Sequence, residues 1–139
     1  MIADRWSLKK QKTLNKREIT TGSAPAAIGP YSQAVEVNGM IFLSGMLPID
    51  PVTGKLVTGG ITEQTEQIFT NIKAVLSAAG VTIDNIVKTT VFLDDMSLFG
   101  EMNDVYGAQF TGIFPARAAF AVKALPKNAL VEIEVIAVK

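Results

Sequence analysis

The sequence predicts an α+β fold: one sheet with two helices packed on one face. Three observations predict it. Hydrophobic patterning gives eight elements in the order β-β-β-α-β-α-β-β. The strands read apolar on both sides, as strands covered on both faces do. Two helices can cover only one face of such a sheet, so the other face needs a partner, and oligomerisation is the simplest solution.

The elements follow in order. Glu18 to Thr21 is read as a short edge strand, and Ser23 to Pro30 as a small, Pro-rich loop ending at Tyr31. Ser32 to Val37 and Met40 to Ser44 are strands joined by Asn38-Gly39, a strong hairpin signal. Pro48 to Gly60 is a long loop. Ile61 to Ala79 is the clearest helix, with an apolar stripe through Ile61, Ile68, Ile72, Val75 and Leu76 and a stop at Gly80. Ile86 to Leu93 is rich in β-branched residues. Ser97 to Phe110 is a second helix, weakened by Gly100 and Gly107, with Leu98, Met102, Tyr106 and Phe110 as its core face. Phe114 to Val138 holds the last two strands, joined by Leu125-Pro126-Lys127-Asn128. The two strand–helix–strand units predict parallel neighbours with right-handed crossovers.

Composition narrows the chemistry. The chain has 139 residues, 48% of them hydrophobic, with formal net charge zero, no cysteine and no histidine. That is enough chain for one domain with a real core. Disulfides, thiolate nucleophiles, imidazole bases and His/Cys zinc sites are excluded. Zero net charge argues against nonspecific nucleic-acid binding. No uninterrupted apolar run is long enough for a membrane helix, and the lack of cysteine fits a cytoplasmic protein. Residues 1–17 carry six cations against one acid, Asp4. Residues 1–14 are expected to be a basic N-terminal leader, loosely packed or without fixed structure, preceding a single domain over 15–139. An arm touching nucleic acid is the less favoured alternative.

The last third concentrates the charges that could do chemistry. Alternation puts Arg117, Ala119, Ala121 and Lys123 on one face of their strand, leaving room beside the guanidinium for a carboxylate or phosphate. Glu132 and Glu134 share a face with Ile136 and Val138 on a largely apolar strand, where an unpaired carboxylate is expensive. On spacing alone, a structural Arg–Glu pair is the favoured reading. The two strands must run antiparallel, so Arg117 and Glu132 fall near opposite ends of the sheet, on the order of 20 Å apart. They could then share a site only if two subunits contribute.

The stretches Ala24-Pro25-x-x-Ile28-Gly29-Pro30-Tyr31-Ser32-Gln33-Ala34, Ser44-Gly45, Asp84-x-Ile86-Val87-Lys88-Thr89-Thr90-Val91-Phe92, Asn103-x-x-Tyr106, Phe114-Pro115-Ala116-Arg117 and Val131-Glu132-Ile133 carry a resemblance. In that order and spacing the chain closely resembles the RidA (YjgF-like) reactive-intermediate deaminase family, from about Asn15 to its end. The resemblance implies a chorismate-mutase-like α+β homotrimer with sites between subunits. It also implies hydrolysis of 2-iminobutanoate and 2-iminopropanoate to 2-keto acids and ammonia, a metabolite damage-control role, without metal or cofactor. Carried over to this sequence, Arg117 would clamp the substrate carboxylate. Glu132 would orient water or pass a proton to the imine nitrogen. Gly45 would offer its N–H, and Ser44 and Tyr31 would line the pocket, with Asn103 beside them in a role more structural than catalytic.

Ala119 stands where many members have cysteine, and Ala118 where serine is common, which bears on substrate choice. Without the resemblance, Tyr31 reads as a packed aromatic and Ser44 as a strand-end cap. Glu134, Lys88 and Lys123 read as structural or solvated. The rival functions are a non-catalytic binder of small keto- or amino-acid metabolites and, less favoured, RNA binding or cleavage.

Overall fold

The structure is a computed structural model that describes residues 14–139. The leader expected over 1–14 therefore lies almost wholly outside the described residues. Six strands form one sheet: β1 (Arg17–Ile19), β2 (Ala34–Val37), β3 (Met40–Met46), β4 (Ile86–Leu93), β5 (Ala116–Ala121) and β6 (Val131–Val138). The helices are α1 (Ile61–Ala78) and α2 (Phe99–Ala108), in the order read from the sequence.

The sheet order is β1-β2-β3-β6-β4-β5. Here one expectation is corrected. The β4–α2–β5 unit gives parallel neighbours, but β6 lies between β3 and β4 and runs antiparallel to both. The physical reason lies in β6 itself. Val131, Ile133, Val135 and Ala137 are all fully or almost fully buried, so the strand with the most apolar face takes the centre.

Local chemistry sets the boundaries. Asn38 and Gly39 both have positive φ (51° and 77°), as a tight Asn-Gly hairpin requires. Glu63 accepts a hydrogen bond from the Gly60 N–H (3.1 Å) at the start of α1. At its end Gly80 (φ 83°) adopts the left-handed conformation while Val81 donates back to the Leu76 carbonyl (3.0 Å). The second helix is shorter than expected. Met96–Leu98 form a 3-10 turn held by Asp95, whose carboxylate accepts from the Ser97 N–H (2.8 Å), and the α-helix begins only at Phe99.

Ile68, Ile72, Val75 and Leu76 of α1 join Ile41, Leu43, Val91, Leu93, Ile133 and Val135 in one core. All of these strand residues point to the same face of the sheet. The opposite face carries Phe42, Phe92, Phe120, Ile136 and Val138. In the protomer it is not covered: Phe120 is 44% and Phe42 39% exposed. The first of the two last strands also ends early, at Ala121, so Lys123 lies beyond it.

Candidate active site

Arg117 stands on edge strand β5, opposite Thr89 of β4, and its side chain reaches the helix side of the sheet. Three residues of α2 receive it. Asn103 Oδ1 accepts from its Nη1 (2.7 Å), and its guanidinium lies 4.6 Å from the Tyr106 ring centroid and 5.4 Å from that of Phe99. Phe99, Asn103 and Tyr106 fall at i, i+4 and i+7, one face of the helix. Tyr106 is anchored in turn: its hydroxyl shares a buried 2.8 Å hydrogen bond with Thr89 Oγ1. Aromatic faces and one acceptor thus orient the guanidinium and leave its other N–H donors free for an anion. A cavity of about 450 Å³ opens there, lined by Asn103, Tyr106, Phe114 and Arg117 among others.

Glu132 stands on β6, opposite Phe92, and therefore on the uncovered face. The register shift in β3 between Leu43 and Met46 takes Ser44 and Gly45 out of the ladder with β6. The Glu132 carboxyl lies across Gly45 so closely that a Cβ there would overlap it, falling 2.9 Å from Cδ. Any side chain at Gly45 would displace the carboxyl from this position. Burial, and secondarily the Glu134 carboxylate, raise the Glu132 carboxyl above its ordinary value of 4.5.

Ser44 donates its hydroxyl to the Ser32 carbonyl (2.6 Å), and its N–H bonds the Gln33 carbonyl (3.0 Å). The serine hydroxyl is thus committed to the backbone, close to the strand-end role read without the resemblance. Tyr31 is exposed, its hydroxyl accepting from the Ile28 N–H (3.3 Å). Tyr31, Ser44 and Gly45 share a second cavity, of about 300 Å³.

Buried amides fix the walls of that cavity. The Gln33 side chain pairs with both the N–H and the carbonyl of Thr21 (2.7 and 3.0 Å) and donates to the Pro25 carbonyl (2.8 Å), tying down the Pro-rich loop. Asn71 of α1 donates to the carbonyls of Leu47 and Ile49 (3.2 and 2.9 Å). Gln64 accepts from the Leu130 N–H (2.9 Å), two residues before Glu132.

The structure brings Arg117 together with Asn103, and Glu132 together with Gly45, while Tyr31, Ser44 and Gly45 line one cavity. It does not bring the two groups together within one chain. The expected separation of about 20 Å is corrected. Arg117 and Glu132 are offset by three residues and two strand spacings, about 14 Å at ~3.3 Å per residue and ~4.8 Å per strand. What divides them is the sheet itself. Sequence reasoning missed Phe99 and took Tyr106 only as core. The i, i+4, i+7 spacing with Asn103 was the available signal. Gln33 lay in the motif but drew no role.

The element order and the helix-covered mixed sheet place the chain among small α+β proteins of one recognisable architecture. The model of the family described as Endoribonuclease L-PSP matches residues 21–139, and the chain belongs to that family, the YjgF/RidA family. It is 54% identical over 127 residues to a 2-iminobutanoate/2-iminopropanoate deaminase of Capra hircus, covering 91% of this chain and 93% of that one. Among solved structures it is similar to YyfA of Yersinia pestis, from the conserved Rid protein family. The TM-score is 0.88 at 53% identity, over 90% of this chain and all of that one. It is also similar to Escherichia coli TdcF with bound serine, with a TM-score of 0.85 at 39% identity, over 88% and 98% of the two chains.

Proposed function

We propose that this protein hydrolyses reactive 2-imino acids, 2-iminobutanoate and 2-iminopropanoate among them, to 2-keto acids and ammonia. The single observation that carries the reading is an oriented guanidinium on one face of the sheet and, on the other, a half-buried carboxyl whose proton affinity burial raises. The deaminase names of relatives at about half identity support it. The site is completed between copies in a homotrimer, where Arg117 of one copy meets Glu132 of the next. The sidedness of the two residues and the apolar, uncovered sheet face support that assembly.

The chemistry then follows from the geometry. Arg117 binds the substrate carboxylate bidentately. Glu132 passes a proton to the imine nitrogen, which makes the carbon electrophilic. The carboxylate left behind accepts a proton from the attacking water as the C–O bond forms. Glu132, protonated again by that water, then protonates the amino nitrogen of the carbinolamine. The C–N bond breaks as the O–H electrons form the C=O, the hydroxyl proton returns to the Glu132 carboxylate, and ammonia and the keto acid leave. The Gly45 N–H and Tyr31 line the site, and Asn103 holds the arginine. No cofactor enters any step.

The assay is keto-acid and ammonia release from imines formed in situ by a threonine dehydratase, against the uncatalysed rate. Binding of keto acids without acceleration would instead support the non-catalytic binder, which uses the same clamp. The cytoplasmic location and the dispensable basic leader over 1–14 belong to the same proposal. No helix among the described residues is long and apolar enough to cross a membrane.

A further inference from the structure

Two carboxamides interrupt the apolar stripe of α1. Gln64 and Asn71 are 6% and 0% exposed, and their spacing puts them on one face of the helix, with Ile68 between them. Buried amides on such a stripe are unfavourable unless they are hydrogen-bonded. Both are, and their partners lie outside the helix. Gln64 Oε1 accepts from the Leu130 N–H (2.9 Å), just before β6 begins. Asn71 Nδ2 donates to the Leu47 and Ile49 carbonyls (3.2 and 2.9 Å), on either side of Pro48 and just beyond β3. Gln67 orients that amide. Its Nε2 donates to Asn71 Oδ1 (2.9 Å), which leaves both Asn71 amide hydrogens for the two carbonyls.

These anchor points flank the contact between Glu132 and Gly45. β3 and β6 are neighbours in the sheet, and α1 lies against both. Between the Leu43–Val135 and Met46–Ile133 pairs, β3 carries one residue more than β6, so Ser44 and Gly45 together oppose Glu134. The ladder is interrupted there, so the place of this bulge relative to β6 depends on what holds its flanks. Asn71 holds the chain two residues after Gly45, and Gln64 holds it two residues before Glu132. The Glu132 carboxyl lies across Gly45 between those two grips.

We propose that Gln64 and Asn71 are positioning residues of the imine site: acting as one brace from α1, they set the spacing at which the Glu132 carboxyl lies over Gly45. The inference rests on the deaminase reading, and neither amide touches substrate. Arg117 is oriented by Asn103, Tyr106 and Phe99 of α2. Loss of the brace therefore slows the chemical step and leaves the carboxylate clamp in place. The two amides differ in what they supply: Gln64 acts through an acceptor, Asn71 through two donors.

The test measures kcat, KM and Tm of the full chain on 2-iminobutanoate formed in situ, as wild type, Gln64→Met, Gln64→Glu, Asn71→Leu and Asn71→Asp. Ile72→Val, a packing loss in the same helix, is the control for lowered stability alone. Gln64→Met and Asn71→Leu should lower kcat about ten- to hundredfold with KM nearly unchanged. Gln64→Glu keeps an acceptor in either protonation state and should retain most of kcat, whereas Asn71→Asp loses the paired donors and should be as slow as Asn71→Leu. Gly45→Ala displaces the same carboxyl, so adding Asn71→Leu to it should cost little beyond the larger single loss. Losses that multiply, a fall in Tm with kcat intact as in Ile72→Val, or a Gln64→Glu as slow as Gln64→Met would each overturn the brace. Should Asn71→Leu not fold, Gln67→Leu removes only the group that orients Asn71 and carries the same expectation. If the wild type hydrolyses no imine, the deaminase reading fails and the brace is judged by the carboxyl-carbon NMR signal of Glu132, assigned by its absence in Glu132→Gln. Displacement of that signal in Gln64→Met and Asn71→Leu, in the direction seen in Gly45→Ala and not in Ile72→Val, supports the brace. An unmoved signal refutes it.

Discussion

Arg117 and Glu132 project from opposite faces of the same sheet, on strands separated only by β4. No rotamer change brings them together, because the sheet stands between them. A site using both must be built from two copies, each giving a different face. Mixing tests this. Arg117→Lys and Glu132→Gln should each be nearly inactive as homotrimers. In randomly reassembled trimers with head-to-tail interfaces, about a quarter of the interfaces regain both wild-type residues, and activity should return in proportion. No recovery in verified mixed trimers would end the shared-site reading.

The arginine should not tolerate lysine. Its guanidinium is gripped by Asn103 and stacked on Tyr106 and Phe99, and an ammonium reproduces neither the fork nor the stacking. Loss of one charge-assisted hydrogen bond should raise KM roughly ten- to hundredfold. Tyr106→Phe should keep most of the binding because the ring remains, whereas Tyr106→Leu should raise KM as Arg117→Lys does. Equal KM in the leucine variant would show that the ring only fills space.

Gly45 offers a narrower test. Its backbone is not in the left-handed region, so alanine meets no conformational strain. The three atoms nearest the added methyl all belong to the Glu132 side chain, which is free to move. Gly45→Ala should therefore fold with a Tm close to wild type while Glu132 swings away. The rate should fall toward the roughly 10²–10⁴-fold that general acid–base help supplies. A large fall in Tm with the rate intact would assign Gly45 to packing instead.

Most of the fold was legible in the sequence because its signals are local. Asn38-Gly39, the Ile61–Leu76 stripe and Gly80 each act within a few residues, and each lies where the pattern put it. The position of β6 was not legible. Insertion between β3 and β4 depends on which strand best fills the centre, a competition among distant segments. The same limit applies to the candidate site. Alternation assigned Arg117 and Glu132 to faces of their own strands, but relating those faces needed the register through β4. The β3 irregularity beneath Glu132 had no signal beyond Ser44-Gly45. The Gln33 clamp joins residues a dozen apart through a side chain, which periodicity does not reach.

The uncovered face predicts the assembly state. Met40, Phe42, Phe120 and Val138 remain about two-fifths exposed on one side of the sheet. Sedimentation at micromolar concentration should show a trimer, and Phe42→Glu should shift it toward monomer while the helix-side core persists. A wild-type monomer would remove the basis for the shared site.

The last prediction concerns pH. Burial, then Glu134, raises the Glu132 carboxyl above its ordinary 4.5. Between the ordinary and raised values, the folded chain binds more protons than the unfolded one. Stability therefore falls as pH rises through that window, because ionised Glu132 is poorly solvated where it sits. The contribution is fully present below the unfolded value and lost above the folded one. Glu132→Gln cannot ionise, so its Tm should be near wild type in acid and should gain on it as pH rises through the window. A guanidinium from a neighbouring copy would oppose the shift. Replacing Arg117 with Gln in the assembled protein should therefore move the Glu132 titration upward, read as a displaced inflection in Tm against pH. If Arg117→Gln leaves that inflection in place while assembly is preserved, no arginine faces Glu132 across the interface. The proton-transfer role would then have to work without the clamp beside it.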